Sequence, residues 1–476
     1  MDKEKSFIDT YIRNNGKEFF SYADAIWTYA ELGCSEHKSS KLLCKLLESH
    51  GFKVTSGVAQ MPTAFVAEWG TGSPVIGFNC EYDALPGLSQ NESTDKNPVV
   101  PGAPGHGCGH NILGVGSIMA AVALKSWMQN VNASGIIRVF GTPAEEICVG
   151  KPYMARDGLF EGCDAILDWH PWDKNGANYD TCNAYFNIKY HFSGRTAHGN
   201  SPWEGRSALD TGLLMGHAIE MLREHIPPNT PDAANTINYT FSDVGPEYAS
   251  VVSDRCTVWV IGRINSSDLA ETIIQRIHKC AEGASIATGT SWRYEFITAS
   301  HEKIPNETIA SVMHNNLVDI GPPQFDQTEI ELSKKWQREL QVPEHGMSQT
   351  IEAFHGGASA VSDNSEFSWF SPFAMVWIAG GPIGIGWHNW QISFCSGGSI
   401  GRKAMQHGAT IMACSAVDLL TNSELLKTAR QEHSDRLNGR KYKPLMPAET
   451  KPPVDINEKT MEKYRSMMVK YYKEIA

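Results

Sequence analysis

Gly105-His106-Gly107-Cys108-Gly109-His110-Asn111 sets two metal-ligating side chains, Cys108 and His110, one glycine apart. Thiolate and imidazole are good ligands for zinc and its neighbours, and carboxylate widens the choice toward manganese. In an extended loop, side chains two apart share a side, so these two reach one metal or two adjacent ones. A Gly- and Pro-containing loop precedes the stretch. Residues 111–130 follow it as a small-residue apolar run that predicts a buried helix, with Gly114 and Gly116 allowing close packing. The stretch therefore reads as a loop leading into a helix, opening a metal site.

Outward from it, strands and helices alternate. Apolar spacing predicts helices over 7–30 and Lys38–His50, the second stopped by Gly51. Strands are predicted at Thr63–Trp69, Pro74–Cys80 and Gly135–Phe140. This alternation implies an α/β catalytic domain with a mixed, largely parallel sheet and helices on both faces. In such sheets ligands gather at the carboxyl ends of strands. Glu145-Glu146 follow the run Ile136–Phe140, and His170 follows Ala165–Leu167. His388 follows the flexible loop Gly380–Gly386. These three segments are expected to converge on Cys108 and His110. A hydrolytic centre needs one or two cations, an open position for water and a base. Adjacent side chains diverge, so one of Glu145-Glu146 can bind metal while the other acts as base; spacing alone does not assign them.

Near residue 185 the pattern changes. Strands at Tyr185–Phe192, Thr236–Phe241, Asp254–Arg263 and Ser291–Thr298 interleave with helices at Ser207–His225 and Ser267–Ala284. The order β-α-β-β-α-β is that of a ferredoxin-like unit. The expected organisation is a catalytic metal-binding domain over 1–184 and 301–476, interrupted by an inserted dimerisation or lid domain over 185–300. Helices are expected at 306–319 and 401–421. Residues 434–457 read as an irregular tail before a last helix over Glu458–Lys473.

Bulk composition narrows the partners. A chain of 476 residues is long enough for two or three domains, and 41% hydrophobic content with 13 Trp supports a sizeable core. Net charge of −12, with no Lys/Arg cluster, argues against nucleic acid. No uninterrupted apolar run reaches about 18 residues, so no membrane span is expected. The 11 scattered cysteines fit a reduced, cytoplasmic protein better than a disulfide framework. Trp172, Trp203, Trp369 and Trp390 are expected to be mostly core, with one or two lining an aromatic pocket. His106, His355 and His407 are expected to be structural.

Four segments carry a family likeness: Gly105–Asn111, Gly141–Glu146, Asp168-Trp169-His170-Pro171 and Gly194-Arg195-Thr196-Ala197-His198-Gly199. In order and combination they resemble the amidohydrolase branch of the M20 metallopeptidases, over nearly the whole chain. The resemblance implies two divalent metal ions per chain, Mn2+ or Zn2+, held by Cys108, His110, Glu146, His170 and His388. It implies Glu145 as catalytic base. It assigns His198 to a site across a homodimer interface, stabilising the oxyanion, and Arg263 to a substrate carboxylate. Asp83 is expected to orient a ligand or loop. Asn111 and Glu81 stand where many members have Asp, so both bear on the hydrogen bonds that support the ligands. Residues 90–104 form a longer insert than the branch usually has. The implied reaction is hydrolysis of an N-acyl or N-aroyl amino acid, with p-aminobenzoyl-glutamate the leading candidate and dipeptides its neighbours.

Two other readings compete. Cys108 with a histidine and Asn111 matches a thiol hydrolase, but that leaves Glu145-Glu146, His170 and His388 unused. A partner-dependent, non-catalytic subunit working with a related second chain is the other. Intact catalytic positions argue against it.

Overall fold

The computed structural model describes residues 2–227 and 234–475. Helix α1 (Lys3–Tyr29) starts where the Asp2 side chain accepts from Lys5 N at 2.9 Å, a standard N-cap. Helix α2 (His37–Ser49) buries Leu43, Leu46 and Leu47, and the chain leaves it through Gly51 at φ 78°, an angle glycine adopts without strain. Strands β1 (Lys53–Ser56), β2 (Phe65–Thr71) and β3 (Val75–Cys80) follow, then α3 (His110–Val131), β4 (Gly135–Gly141), α4 (Gly150–Arg156) and β5 (Ala165–Trp172). Short strands β6 (Gly176–Ala177) and β7 (Tyr179–Thr181) lead out of this first part.

The next unit comprises β8 (Ala184–Ser193), α5 (Ala208–Arg223), β9 (Thr236–Gly245), β10 (Arg255–Ile264), α6 (Ser267–Thr288) and β11 (Ser291–Ser300). Its sheet runs β11-β8-β10-β9 and every pairing is antiparallel. This is the β-α-β-β-α-β order read from the sequence. The chain then returns through α7 (Glu307–Ile320), α8 (Gln327–Glu339), β12 (Gly356–Ala358) and β13 (Phe373–Ala379). Helices α9 (Trp390–Gly397), α10 (Ser399–Thr421), α11 (Ser423–Leu437) and α12 (Glu458–Met468) complete it.

The main sheet has seven strands in the order β1-β2-β4-β3-β5-β13-β6. Its middle four, β4-β3-β5-β13, are parallel; β1, β2 and β6 pair antiparallel at the flanks. One face carries α1, α2, α3, α7 and α10 in a continuous apolar core. The other face meets α4, the 3-10 turn Asp363–Trp369 and the apolar side of the inserted unit. Helix α3 is apolar nearly all round and long enough to cross a membrane, yet 89% of its apolar window is buried within the fold, as an all-round apolar core helix must be. A Cβ at Gly114 would lie 2.3 Å from Glu81 O, and one at Gly116 would lie 2.9 Å from the Trp169 ring. Both glycines are thus required for α3 to sit on the sheet.

The structure differs from the sequence reading in four places. β5 continues through Trp172, so His170 lies inside a strand rather than after one. Its polar and aromatic residues break the apolar run, but pairing of His170 with Trp377 carries the ladder on. Helices α4, α8, α9 and α11 and strands β1, β6, β7, β12 and β13 have no counterpart in the sequence reading, and α11 takes in the first residues of the supposed tail up to Leu437. The last helix ends early, at Met468. Trp203 is 72% exposed rather than core.

Candidate metal centre

Four parallel strands run together to one side, and the candidate ligating side chains gather at or near that side. β3 delivers Glu81 and Asp83, β4 delivers Glu145 and Glu146, β5 carries His170, and Cys108 and His110 sit at the start of α3. The turn after β4 is tightly shaped: Ala144 (φ 57°) and Cys148 (φ 52°) are both left-handed, which is strained for residues with a Cβ. Glu36 Oε1 secures it by accepting from Ala144 N at 2.8 Å. His388 is also left-handed (φ 66°) and donates its backbone N–H to Gly107 O at 3.1 Å. That bond ties the last candidate ligand to the first loop.

Three sets of ligating atoms lie within 4.8 Å of one another: Cys108, His110 and His170; Cys108, Glu146 and His388; and Glu81, His110 and Glu145. Cys108 Sγ is 3.5 Å from His170 Nε2, and His388 Nε2 is 3.4 Å from Glu146 Oε2. The His170 Nδ1–H donates to Pro171 O at 2.7 Å, which leaves Nε2 with a free lone pair. The His110 Nδ1–H donates to Asp83 Oδ1 at 2.8 Å, while Asp83 Oδ2 accepts from Glu146 N at 3.0 Å.

His110 Nε2 then faces Glu81 Oε2 at 3.3 Å, acceptor to acceptor. Both atoms, and Glu146 Oε1, are buried without a hydrogen-bond partner. Each such orphan costs roughly 1–3 kcal/mol, and only a proton or a cation between them relieves it. Burial also pushes the Cys108 thiol well above its ordinary range; a cation at sulfur reverses that. The donor set of thiol, imidazoles and carboxylates therefore fits divalent metal.

The two carboxylates nearest His110 Nε2, Glu81 and Glu145, are driven apart. Burial and the Glu81 charge hold Glu145 above the usual carboxylate range. Burial works against ionised Glu81 too, but Lys151 and His110 outweigh it and draw Glu81 down to about 2. Lys151 is wholly buried, with Nζ 2.8 Å from Glu81 Oε1 and 2.6 Å from Asp363 Oδ1. Ser362 Oγ donates to Glu145 Oε1 at 2.8 Å. Lys151, Ser362 and Asp363 were missed in the sequence. Lys151 follows the Glu pair on α4, which gave a weak signal; Ser362 and Asp363 arrive from a distant segment and gave none.

The cluster opens into a cavity of about 530 Å3 whose wall includes Cys148, Arg263, Lys303 and the indoles of Trp172, Trp377 and Trp387. Trp172 lies 5.3 Å from Trp377 and 4.7 Å from Trp387, ring centre to ring centre. Cys108, His110, Glu145, Glu146, His170, His388, Asp83 and Arg263 are thus brought to one place. Two expected residues are not. Asn111 turns its amide to Ala23 O and Ser396 O, bracing α3 against α1 and α9 instead of the ligands. His198 is exposed on the inserted unit, accepts from Asn200 N, and stays outside the cavity of its own chain. The insert 90–104 lines a separate cavity of about 350 Å3 beside α1.

Strand-end carboxylates, a histidine–cysteine cluster and an inserted antiparallel unit define an amide-bond hydrolase of metallopeptidase type. The chain belongs to the peptidase family M20/M25/M40, whose model matches residues 77–448. It is 33% identical to a protein of Escherichia coli (strain K12) that is named as one of the subunits of p-aminobenzoyl-glutamate hydrolase, over 93% of this chain and 97% of that one. Among solved structures it resembles an aminobenzoyl-glutamate utilization protein from Klebsiella pneumoniae (TM-score 0.58, 15% identity, 85% of this chain and 98% of that one). A Bacillus subtilis protein described as a dinuclear metal-binding peptidase of the M20 family shares the fold (TM-score 0.53, 16% identity, 86% and 99%).

Proposed function

We propose that this hydrolase cleaves the amide bond of an N-acyl or N-aroyl amino acid, p-aminobenzoyl-glutamate first among them, at a two-metal centre. Cys108, His110, Glu146, His170 and His388 would hold the ions, Mn2+ or Zn2+. The observation that carries this reading is the pair of ligand triads sharing Cys108, each the size of a single-ion site. Bound there, divalent ions would polarise the amide carbonyl and acidify water.

The rest falls to the chain. Glu145 takes a proton from the attacking water and returns it to the leaving nitrogen. Its raised affinity for protons suits that exchange; Ser362 holds one oxygen, and the other lies 3.8 Å from His110 Nε2. Arg263 receives the substrate carboxylate. His198 acts from a second copy, in a homodimer formed through residues 185–300, where it steadies the developing oxyanion. The Escherichia coli relative is named as one part of a larger enzyme, which supports a related second chain as a further partner. A thiol mechanism is the weaker reading: Cys108 has His170 beside it, but Asn111 faces away.

Metal analysis of the purified protein with hydrolysis assays before and after chelation tests this. About two metals per chain, with activity lost on chelation and restored by Mn2+ or Zn2+, is the expected result. Activity that survives chelation, or a metal-free protein still dependent on Cys108, sinks it in favour of the thiol mechanism.

A further inference from the structure

Lys303 is an anomaly among the lysines around the cavity. Lys174 is paired with Glu352 at 3.0 Å, and Lys151 with Glu81 and Asp363. Lys303 is only 6% exposed, yet no carboxylate of the described residues lies within 4 Å of its Nζ. Among the described residues the one polar contact of this Nζ is Ser359 Oγ, at 3.3 Å. An ammonium has three donors, so this buried cation keeps two unused and lacks a counter-charge, a costly arrangement unless an anion arrives. Asp180 lines the same wall but stands beyond ion-pair reach.

The lysine is also held in place. It sits on the return connection from the inserted unit, where its backbone N–H donates to Cys182 O at 3.1 Å. Its carbonyl accepts from Thr181 Oγ1 at 2.9 Å, and Ser359 N donates to Thr181 O at 2.8 Å. Both connections to the inserted unit and the loop after β12 thus meet at this residue. Arg263, the other cation of the wall without an acid partner among the described residues, lies over the Tyr185 ring at 5.9 Å. The cavity therefore offers two separate cationic positions and one indole wall.

We infer that Lys303 is a specificity-determining residue: its Nζ receives a second carboxylate, the side-chain acid of the leaving amino acid. Ser359 positions the ammonium. This rests on the amidohydrolase reading of the same cavity, and predicts preference for substrates with an acidic leaving amino acid over neutral isosteres.

The test is calorimetric titration of the metal-loaded full-length protein with p-aminobenzoyl-L-glutamate and p-aminobenzoyl-L-glutamine, run beside initial rates on both. Wild type should bind and cleave the diacid at least about tenfold better, the worth of one charge-assisted bond. Lys303→Met should lose that ratio through the diacid alone, mainly in KM, with the glutamine analogue changed by less than about threefold. Lys303→Arg, which keeps the charge, should retain part of it; if Lys303→Met melts early, Lys303→Gln takes its place. Equal treatment of the two ligands by wild type, binding of neither, or a ratio untouched in Lys303→Met overturns the inference. Diacid preference through Lys303 without hydrolysis would fail the amidohydrolase reading and keep the subsite. Hydrolysis without preference would do the reverse.

Discussion

Asp83 takes hydrogen bonds from two directions, His110 Nδ1 on one oxygen and Glu146 N on the other. One carboxylate therefore fixes the tautomer of one candidate ligand and the backbone of another. Asp83→Asn leaves only one accepting oxygen for two donors. Supports of this kind change metal affinity by about 10–100-fold when altered, so the variant should bind metal that much more weakly with its fold intact. Competition against a chelator measures this; unchanged affinity would show that the brace is idle. Asp83 was legible in the sequence because it closes the polar loop after β3. Lys151 was only faintly legible, by following the Glu pair, and Asp363 was not, because the far partner of a buried ion pair leaves no local pattern. Asn111 misled for a related reason: beside a ligand in sequence, it starts a helix, and helical rotation carries it to the opposite side.

Among the elements, the clearest titratable joint is between the segment after β11 and the 3-10 turn Asp363–Trp369. His301 Nδ1 faces Glu366 Oε1 at 2.8 Å and Nε2 faces Lys443 O at 3.0 Å. With an acceptor on each nitrogen, the ring is satisfied only as an imidazolium. Burial opposes that charge, but Glu366 outweighs burial and raises the His301 pKa. A raised folded-state pKa means the stabilisation is complete below the unfolded value, about 6.5, and fades as pH climbs through the folded one. His301→Gln should cost about 1–3 kcal/mol at pH 6 and less at pH 9. Denaturant unfolding at both values checks it; an equal loss at the two would rule out the imidazolium. Periodicity made most elements readable, since α1, α2, α3 and the inserted strands bury one regular face or all of it. It failed at β5, where the polar Asp168 and His170 sit inside a strand, and at α8 and α11, whose surfaces are mostly charged.

At the level of the whole molecule, the most exposed large apolar side chains among the described residues lie on the inserted unit. Trp203, Met221, Tyr248 and Ile286 are each more than 70% exposed, and β9 is an edge strand of its sheet. An edge strand and exposed apolar residues on one unit are features on which the proposed second copy could dock. His198 belongs to this unit and lies outside its own cavity, which suits a residue working in a partner's site. Mixing His198→Ala protein with Glu145→Ala protein should restore hydrolysis that neither has alone, because one mixed site keeps both groups. Assays after protomer exchange decide it, and no recovery would confine His198 to a structural role. The order of strands revealed the inserted unit in the sequence. Its exposed face was hidden there, because a surface Trp and a core Trp look alike until the fold is known.

Trp169 lies in the strand between Asp168 and His170 and points the other way, with its indole pressed between positions 116 and 408, where added Cβ atoms would come within 2.9 and 2.4 Å of the ring. Successive strand residues share one backbone but serve opposite faces. A bulkier residue at Gly408, on α10, a helix that carries no candidate ligand, would therefore push on Trp169 and displace His170. The aliphatic interior and the reactive cleft share a mechanical datum in β5, so drift in one is registered by the other.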